Sequence, residues 1–338
     1  MEDEIDYEEL KKEFDRKDMY AVLKGLPDSY EKAMKLGKDL KIGGRPDQII
    51  IMGMGGSAIP GSIIGCLSRS KIPIIVQRDF SIPPSLSRHS LVFVVSYSGD
   101  TEETLAMYRQ AYKINETLIS VSSGGKLQEI CRMNKTPHIL LPPYLPPRMA
   151  YTYLTLPLLI ILRNLNLIED FSQDIPDLVK NLKKKEHEEL GQIFANKLHG
   201  RIPLILSSSR LSAAAYKWKI NLNENADTPA CVNTLPEFCH NGINGFTNAN
   251  AATYCIILRD DEEERPVQKA MEATKQVLKE QGVLVAEINI RGRSRFQKLF
   301  TAIAIGDWVS YWLALRYHTD PTTTDRIDAY KTKIAPSH

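Results

Sequence analysis

Leu91-Val92-Phe93-Val94-Val95 is an apolar run without a charge, and it stops at Ser96-Tyr97-Ser98-Gly99-Asp100-Thr101. A run of that length, bounded by turn residues, reads as a strand buried on both faces. From Thr101 the pattern turns helical, with Glu102 and Glu103 in the first turn. A buried strand that passes through small hydroxyl residues into a helix fits few architectures. The chief one is a parallel sheet with helices on both faces. The turn aims the hydroxyls of Ser96, Ser98 and Thr101, with the unpaired amides of a helix N-terminus, at one spot. Such a spot suits a phosphate or a similar anion.

The same rhythm runs along the chain. Residues 48–52, 72–77, 118–121 and 138–141 read as further strands, and residues 58–68, 101–113 and 127–133 as helices. Pro143, Pro146 and Pro147 interrupt the pattern before a long apolar helix, expected over 148–166. The polar segment 167–176 reads as a linker. Strands are then expected at 202–206, 255–258 and 284–289, and helices at 211–223, 264–281, 296–317 and after Pro321. Each half has a Ser- or Gly-rich turn between its first strand and helix, which points to two similar α/β units. The expected division is an N-terminal helical segment (1–42), a first α/β domain (43–167) and a second (168–338) carrying a C-terminal helix.

Composition closes several alternatives. A net charge of +2 over 338 residues gives no pull toward nucleic acid. The run Lys183-Lys184-Lys185 is followed by Glu186, Glu188 and Glu189 and reads as a solvated helix face. Five cysteines without C-x-x-C spacing argue against a disulfide framework or a zinc knuckle, and favour a reducing cytoplasm. The acidic start Met1-Glu2-Asp3-Glu4 is unlike a signal peptide. The most apolar stretch, 154–162, holds Pro157 and is too short to span a bilayer.

A second turn carries chemistry. Gly53-Met54-Gly55-Gly56-Ser57-Ala58 follows the first expected strand and fits G-x-G-x-x-A, the dinucleotide fingerprint, with Asp79 where a ribose-binding acid is expected. A nicotinamide enzyme is therefore a competing reading. Against it, a dinucleotide would already have its pyrophosphate on this turn, leaving the hydroxyl-rich loop at Ser96 redundant. The other reading has Gly55, Gly56 and Ser57 bringing backbone close to a sugar whose phosphate lies on Ser96, Ser98 and Thr101. No G-x-x-x-x-G-K-[ST] occurs, so a P-loop is excluded.

Both loops, with Pro147-Arg148, Asn223-Glu224-Asn225-Ala226 and His240-Asn241, resemble the archaeal-type bifunctional phosphoglucose/phosphomannose isomerases, a branch of the phosphoglucose isomerase superfamily built from sugar isomerase domains. The resemblance runs from about Gln48 to Lys331. It implies two flavodoxin-like subdomains, each a parallel sheet flanked by helices. It implies an aldose–ketose isomerase that interconverts glucose 6-phosphate and mannose 6-phosphate with fructose 6-phosphate through a cis-enediol, without metal or cofactor. By the same resemblance, Glu224 is the base, Arg148 the cation beside the reacting carbons, and His240 the ring-opening group. Lys331 is the family's C-terminal lysine. Gly55, Gly56, Ser57, Ser96, Ser98 and Thr101 line the sugar and phosphate sites. Thr324, or its neighbour Thr322 or Thr323, is the threonine linked to tolerance of both C2 epimers. A cytoplasmic homodimer is implied, with His240 supplied across the interface.

The chemistry suits these residue types. A carboxylate can carry a proton between two carbons, a guanidinium can face a developing oxyanion, and an imidazole titrates near neutrality. By composition alone, Glu224 reads as an exposed acid at a helix end, Arg148 as a surface arginine and Lys331 as a terminal lysine. A metal at Cys239 and His240 would lack a second ligand pair. The rival from another class is a non-catalytic sugar-phosphate sensor, which would have no use for Glu224, His240 and Lys331 together.

Overall fold

A computed structural model describes residues 5–40, 42–68, 72–248 and 251–334. The acidic start at residues 1–4 lies outside them. Helices α1 (Tyr7–Phe14) and α2 (Met19–Ala33) precede the first unit. That unit runs β1 (Ile49–Met52), α3 (Ile59–Leu67), β2 (Ile74–Gln77), β3 (Leu91–Val95), α4 (Glu102–Ala111), β4 (Thr117–Ser122), α5 (Gly125–Asn134) and β5 (His138–Leu140). Helices α6 (Tyr151–Asn164), α7 (Ile175–Leu182) and α8 (Lys185–Leu198) lead to the second. It comprises β6 (Ile202–Ser208), α9 (Ser212–Asn225), β7 (Cys231–Leu235), β8 (Thr253–Asp260), α10 (Arg265–Glu280), β9 (Leu284–Ile290), α11 (Arg295–Arg316) and α12 (Asp325–Ile334).

Both sheets are parallel throughout. The first has the order β2-β1-β3-β4-β5 and the second β7-β6-β8-β9. The second order is the first with its last strand missing, so the two units share the flavodoxin-like winding. Side chains alternate between faces. In β1 and β3, Ile49, Ile51, Leu91, Phe93 and Val95 point into a large core shared by the two halves. Ile50, Met52, Val92 and Val94 point the other way, under α4 and α5. The second sheet repeats this, with Ile205 and Ile256 in the shared core and Leu204 and Ile257 toward α10. Between the sheets lie α3, α6, α9 and α11. Nearly every residue of α11 is buried, as befits a helix apolar on all sides.

Three expectations change. The apolar helix starts at Tyr151, not Arg148, because Pro146 and Pro147 leave Pro147–Met149 as a single 3-10 turn. The expected linker at 167–176 is partly structured. Phe171 and Ile175 are buried, and Pro176 sits in the first turn of α7, where its missing N–H has no helical partner to lose. Strand β7 was not expected at all. Its sequence, Cys-Val-Asn-Thr-Leu, belongs to a half-exposed edge strand without an apolar run.

Within the second half, α9 packs tightly across α11. A Cβ on Gly306 would lie 2.2 Å from the Trp218 ring, whose Nε1 donates to the Ala302 carbonyl at 2.7 Å. Gly306→Ala should therefore lower stability. Overpacking costs about 1–3 kcal/mol and outweighs the gain of about 1 kcal/mol in helix propensity. A denaturant midpoint at or above wild type would refute this packing.

Candidate active site

The first two loops meet at the C-terminal ends of β1 and β3, the switch point of the first sheet. A 3-10 turn, Gly55–Ala58, follows β1, with Gly55 at φ +50°. The Ser57 hydroxyl accepts from the Tyr97 amide at 3.0 Å, which ties this turn to the loop after β3. Ser96 is fully buried; its hydroxyl donates to Thr101 Oγ1 at 3.1 Å and accepts from the Gly99 amide at 3.1 Å. Ser96 thus folds the loop from inside, while Ser98 is exposed. Gly99, at φ +78°, has no room for a side chain, since a Cβ would lie 1.9 Å from the Gly124 carbonyl oxygen. Thr101 starts α4 without a side-chain cap. Among the described residues, nothing accepts from the amides of Glu102, Glu103 and Thr104. These three donors and the Ser98 hydroxyl form an open anion cradle.

Arg148 follows a segment packed on the glycine turn. The Tyr97 hydroxyl donates to the Pro142 carbonyl at 2.8 Å and accepts from the Leu145 amide at 3.0 Å, which straps the 142–147 segment down. A Cβ on Gly56 would come within 3.2 Å of the backbone of Pro147 and Arg148. The space above the glycine turn is therefore filled by this segment, which counts against a dinucleotide pyrophosphate there. Arg148 is 2% exposed. Its Nε donates to Asn225 Oδ1, one terminal nitrogen donates to the carbonyls of Pro321 (2.7 Å) and Thr322 (3.3 Å), and the other faces Glu224 Oε2 at 3.3 Å. Burial pushes its pKa below the ordinary arginine value, with Glu224 pulling the other way. Guanidinium keeps its charge in such a setting.

Glu224 lies in the last turn of α9 and keeps 22% of its side chain exposed. It lines a cavity of about 550 Å³ with Asn223, Asp227, Thr324 and Arg326. Thr324 also borders a second cavity of about 340 Å³, lined by Lys17, Tyr144, Arg148 and Thr322. Burial raises the Asp227 pKa, Asp325 adds to this, and Arg148 and Arg326 oppose it.

The structure thus gathers Gly55, Gly56, Ser57, Ser96, Ser98, Thr101, Arg148, Glu224 and Thr324. It leaves two candidates apart. His240 is exposed on the 3-10 turn Glu237–His240 after β7 and lines neither cavity. Lys331 is exposed on α12 and pairs with Asp328 at 3.3 Å. Among the described residues, no three His, Cys, Asp or Glu side chains converge as metal ligands, and no helix is long and apolar enough to cross a membrane.

Sequence reasoning missed Lys217, Asp307 and Ser310, a buried polar group behind Arg148. Lys217, Asn221 and Asn225 are spaced four apart on α9, and a polar stripe at that spacing in a buried helix was the available signal. The corresponding crevice in the second sheet is closed from within. Ser208 donates to Glu263, Arg210 pairs with Asp260 at 2.6 Å, and Lys298 pairs with Asp260 at 2.7 Å.

Residues 187–334 match the family model of the bacterial phospho-glucose isomerase C-terminal SIS domain. A bifunctional phosphoglucose/phosphomannose isomerase of Caldicellulosiruptor bescii is 34% identical over 337 residues, covering 94% of this chain and 99% of the relative. Its counterpart in Aquifex aeolicus is 30% identical over 294 residues, covering 85% and 90%. A hypothetical protein from Thermus thermophilus, solved by crystallography, has a TM-score of 0.72 at 15% identity over 97% of this chain and 94% of that one, a likeness of fold alone. With relatives this similar along almost its whole length, the chain belongs to the family of bifunctional phosphoglucose/phosphomannose isomerases.

Proposed function

We propose that this isomerase interconverts glucose 6-phosphate and mannose 6-phosphate with fructose 6-phosphate through a cis-enediol, without a metal ion. One observation carries the reading. A buried guanidinium and a partly exposed carboxylate face each other at 3.3 Å, and the arginine's segment packs on the glycine turn that Ser57 ties to the loop leading into the uncapped α4. A sugar with its phosphate on α4 would extend past Gly56 toward this pair. Ser98, Thr101 and the amides of residues 102–104 hold the phosphate; Ser57 and Ser96 shape the loops that present them.

The proton path follows. In the open-chain aldose, Glu224 takes the C2 proton, and the electron pair moves through C1–C2 onto the C1 carbonyl oxygen. Arg148 faces the resulting enediolate. Glu224 returns the proton to C1 while the C2 hydroxyl proton passes to the C1 oxygen, which leaves a C1 hydroxyl and the C2 ketone. The same base reaches both epimers if C2 can present either face, and Thr324 borders that space. Ring opening needs a separate acid and base. The exposed position of His240 suits delivery to a neighbouring site, so we assign this step to His240 of the partner subunit in a homodimer, with Lys331 assisting. The division into residues 1–42, 43–167 and 168–338 and a cytoplasmic setting, where five free cysteines stay reduced, belong to the same reading.

Three outcomes are expected. A coupled assay should show fructose 6-phosphate formed from both aldoses at a rate that EDTA leaves unchanged; absence of turnover at high enzyme concentration would refute the activity, and loss with EDTA the metal independence. Glu224→Gln should lower kcat by about 10²–10⁴-fold while calorimetric binding of the sugar phosphate persists. Equal loss of binding would remove Glu224 as the base. Ser98→Ala removes one hydrogen bond to a charged group, worth about 1.5–3 kcal/mol, and should raise KM by roughly 10- to 100-fold with kcat little changed. An unaltered KM would place the phosphate elsewhere.

A further inference from the structure

Behind the Arg148–Glu224 pair lies a polar cluster that touches neither cavity. Lys217, Asn221 and Asn225 face α11 from α9, and all three are fully buried. The Lys217 ammonium donates to Asp307 Oδ1 at 2.8 Å and to Asn221 Oδ1 at 2.6 Å; Asn221 Nδ2 donates to the same Asp307 oxygen. One turn further, Asn225 Nδ2 donates to Ser310 Oγ at 2.9 Å, and the Ser310 hydroxyl donates to the Asp307 carbonyl at 2.9 Å. With its amide nitrogen committed to Ser310, Asn225 turns its oxygen toward Arg148 Nε.

Such a cluster is costly unless it has a use. Two cations, Lys217 and Arg148, stand near one another, and burial depresses the lysine pKa despite Asp307. Replacing a buried ion pair by apolar side chains is often neutral or favourable for stability, so stability alone explains the cluster poorly. Its geometry has a direction. The ion pair clamps α9 onto α11 in one register, the register brings Asn225 to Ser310, and Asn225 then takes one edge of the guanidinium. The Pro321 and Thr322 carbonyls take a second edge, leaving the third for Glu224 and the cavity.

We propose that Lys217, Asn221, Asn225, Asp307 and Ser310 are positioning residues, a buried bracket that holds the Arg148 guanidinium in the orientation facing Glu224 and the substrate oxygens. The inference rests on the isomerase reading above, and its role is in turnover more than in binding. A cation displaced by about 1 Å from a developing charge can cost about 10²-fold in rate.

The test compares the full-length wild type with Asn225→Ala in steady-state kinetics and in crystal structures. Asn225→Ala should lower kcat about 30- to 100-fold and leave KM close to wild type, with the guanidinium shifted away from Glu224. If Asn225→Ala fails to fold, Ser310→Ala removes one buried oxygen and should lower kcat about 10-fold with the same pattern. A variant with wild-type kcat and only a lower melting temperature would overturn the proposal and make the cluster a stabilising contact. If the wild type lacks isomerase activity, the functional reading fails. The crystallographic arm then decides the bracket alone, with an unmoved guanidinium overturning it and a displaced one supporting it.

Discussion

A buried guanidinium cannot give up its charge, so it must be met by acceptors wherever the chain folds around it. Arg148 is met from three directions. Asn225 and Glu224 come from the second sheet's first helix, the carbonyls of Pro321 and Thr322 from the segment after α11, and the residue itself from the strap that leaves the first sheet. Withdrawing any of these segments would leave part of the guanidinium without an acceptor. The two halves and the C-terminal segment are thereby tied at one point, and that point is the candidate reaction centre. Gly56 completes the tie, because any side chain there would push the strap away from the cradle.

The duplicated winding makes the asymmetry of the halves informative. Both sheets offer a crevice at a switch point, and both begin it with small residues. In the first half the loop after β3 carries hydroxyls and, among the described residues, leaves three helix amides unmet. In the second, the loop after β8 carries Asp260, Asp261, Glu262 and Glu263, and Lys298 and Arg210 lie across them. The second crevice thus holds acids already paired with its own cations, while the first presents unmet hydrogen-bond donors. The second half contributes instead through the far end of α9, where the helix lifts Glu224 out of the core.

A strand buried on both faces, such as β3, is plain in the sequence because an uncharged run leaves few alternatives. β7 was missed because, unlike the other edge strands, it has no apolar run, and Cys231 and Asn233 are exposed on it. The start of α6 and the supposed linker were misplaced for one reason: a proline stops a helix or opens one depending on what precedes it. In the site, the resemblance picked out Arg148 and Glu224, whose side chains pair at 3.3 Å. The bracket behind them escaped notice because its members lie 90 residues apart in sequence, from Lys217 to Asp307, and meet only through the crossing of α9 and α11. His240 and Lys331 have no place beside Glu224 within one chain, and the resemblance had already assigned His240 to a neighbouring subunit.

The two reacting side chains differ in freedom, and the difference suits the proposed chemistry. Arg148 is held on every edge, so its field does not have to reorganise as charge builds on the substrate. Among the described residues, the Glu224 carboxylate has one partner, at 3.3 Å, and part of its side chain reaches the cavity. A base that collects a proton from one carbon and returns it to the next has to swing by about the length of a carbon–carbon bond. A carboxylate pinned by several donors would resist that swing and would bind its negative charge too well to accept the proton. In the proposed mechanism a rigid cation and a lightly tethered base would divide the work, the first stabilising the intermediate and the second making the transfer. Asn225 and Glu224 are consecutive residues on α9, and their adjacency sets this division. The first faces the core and immobilises the arginine, and the second faces the cavity and stays free.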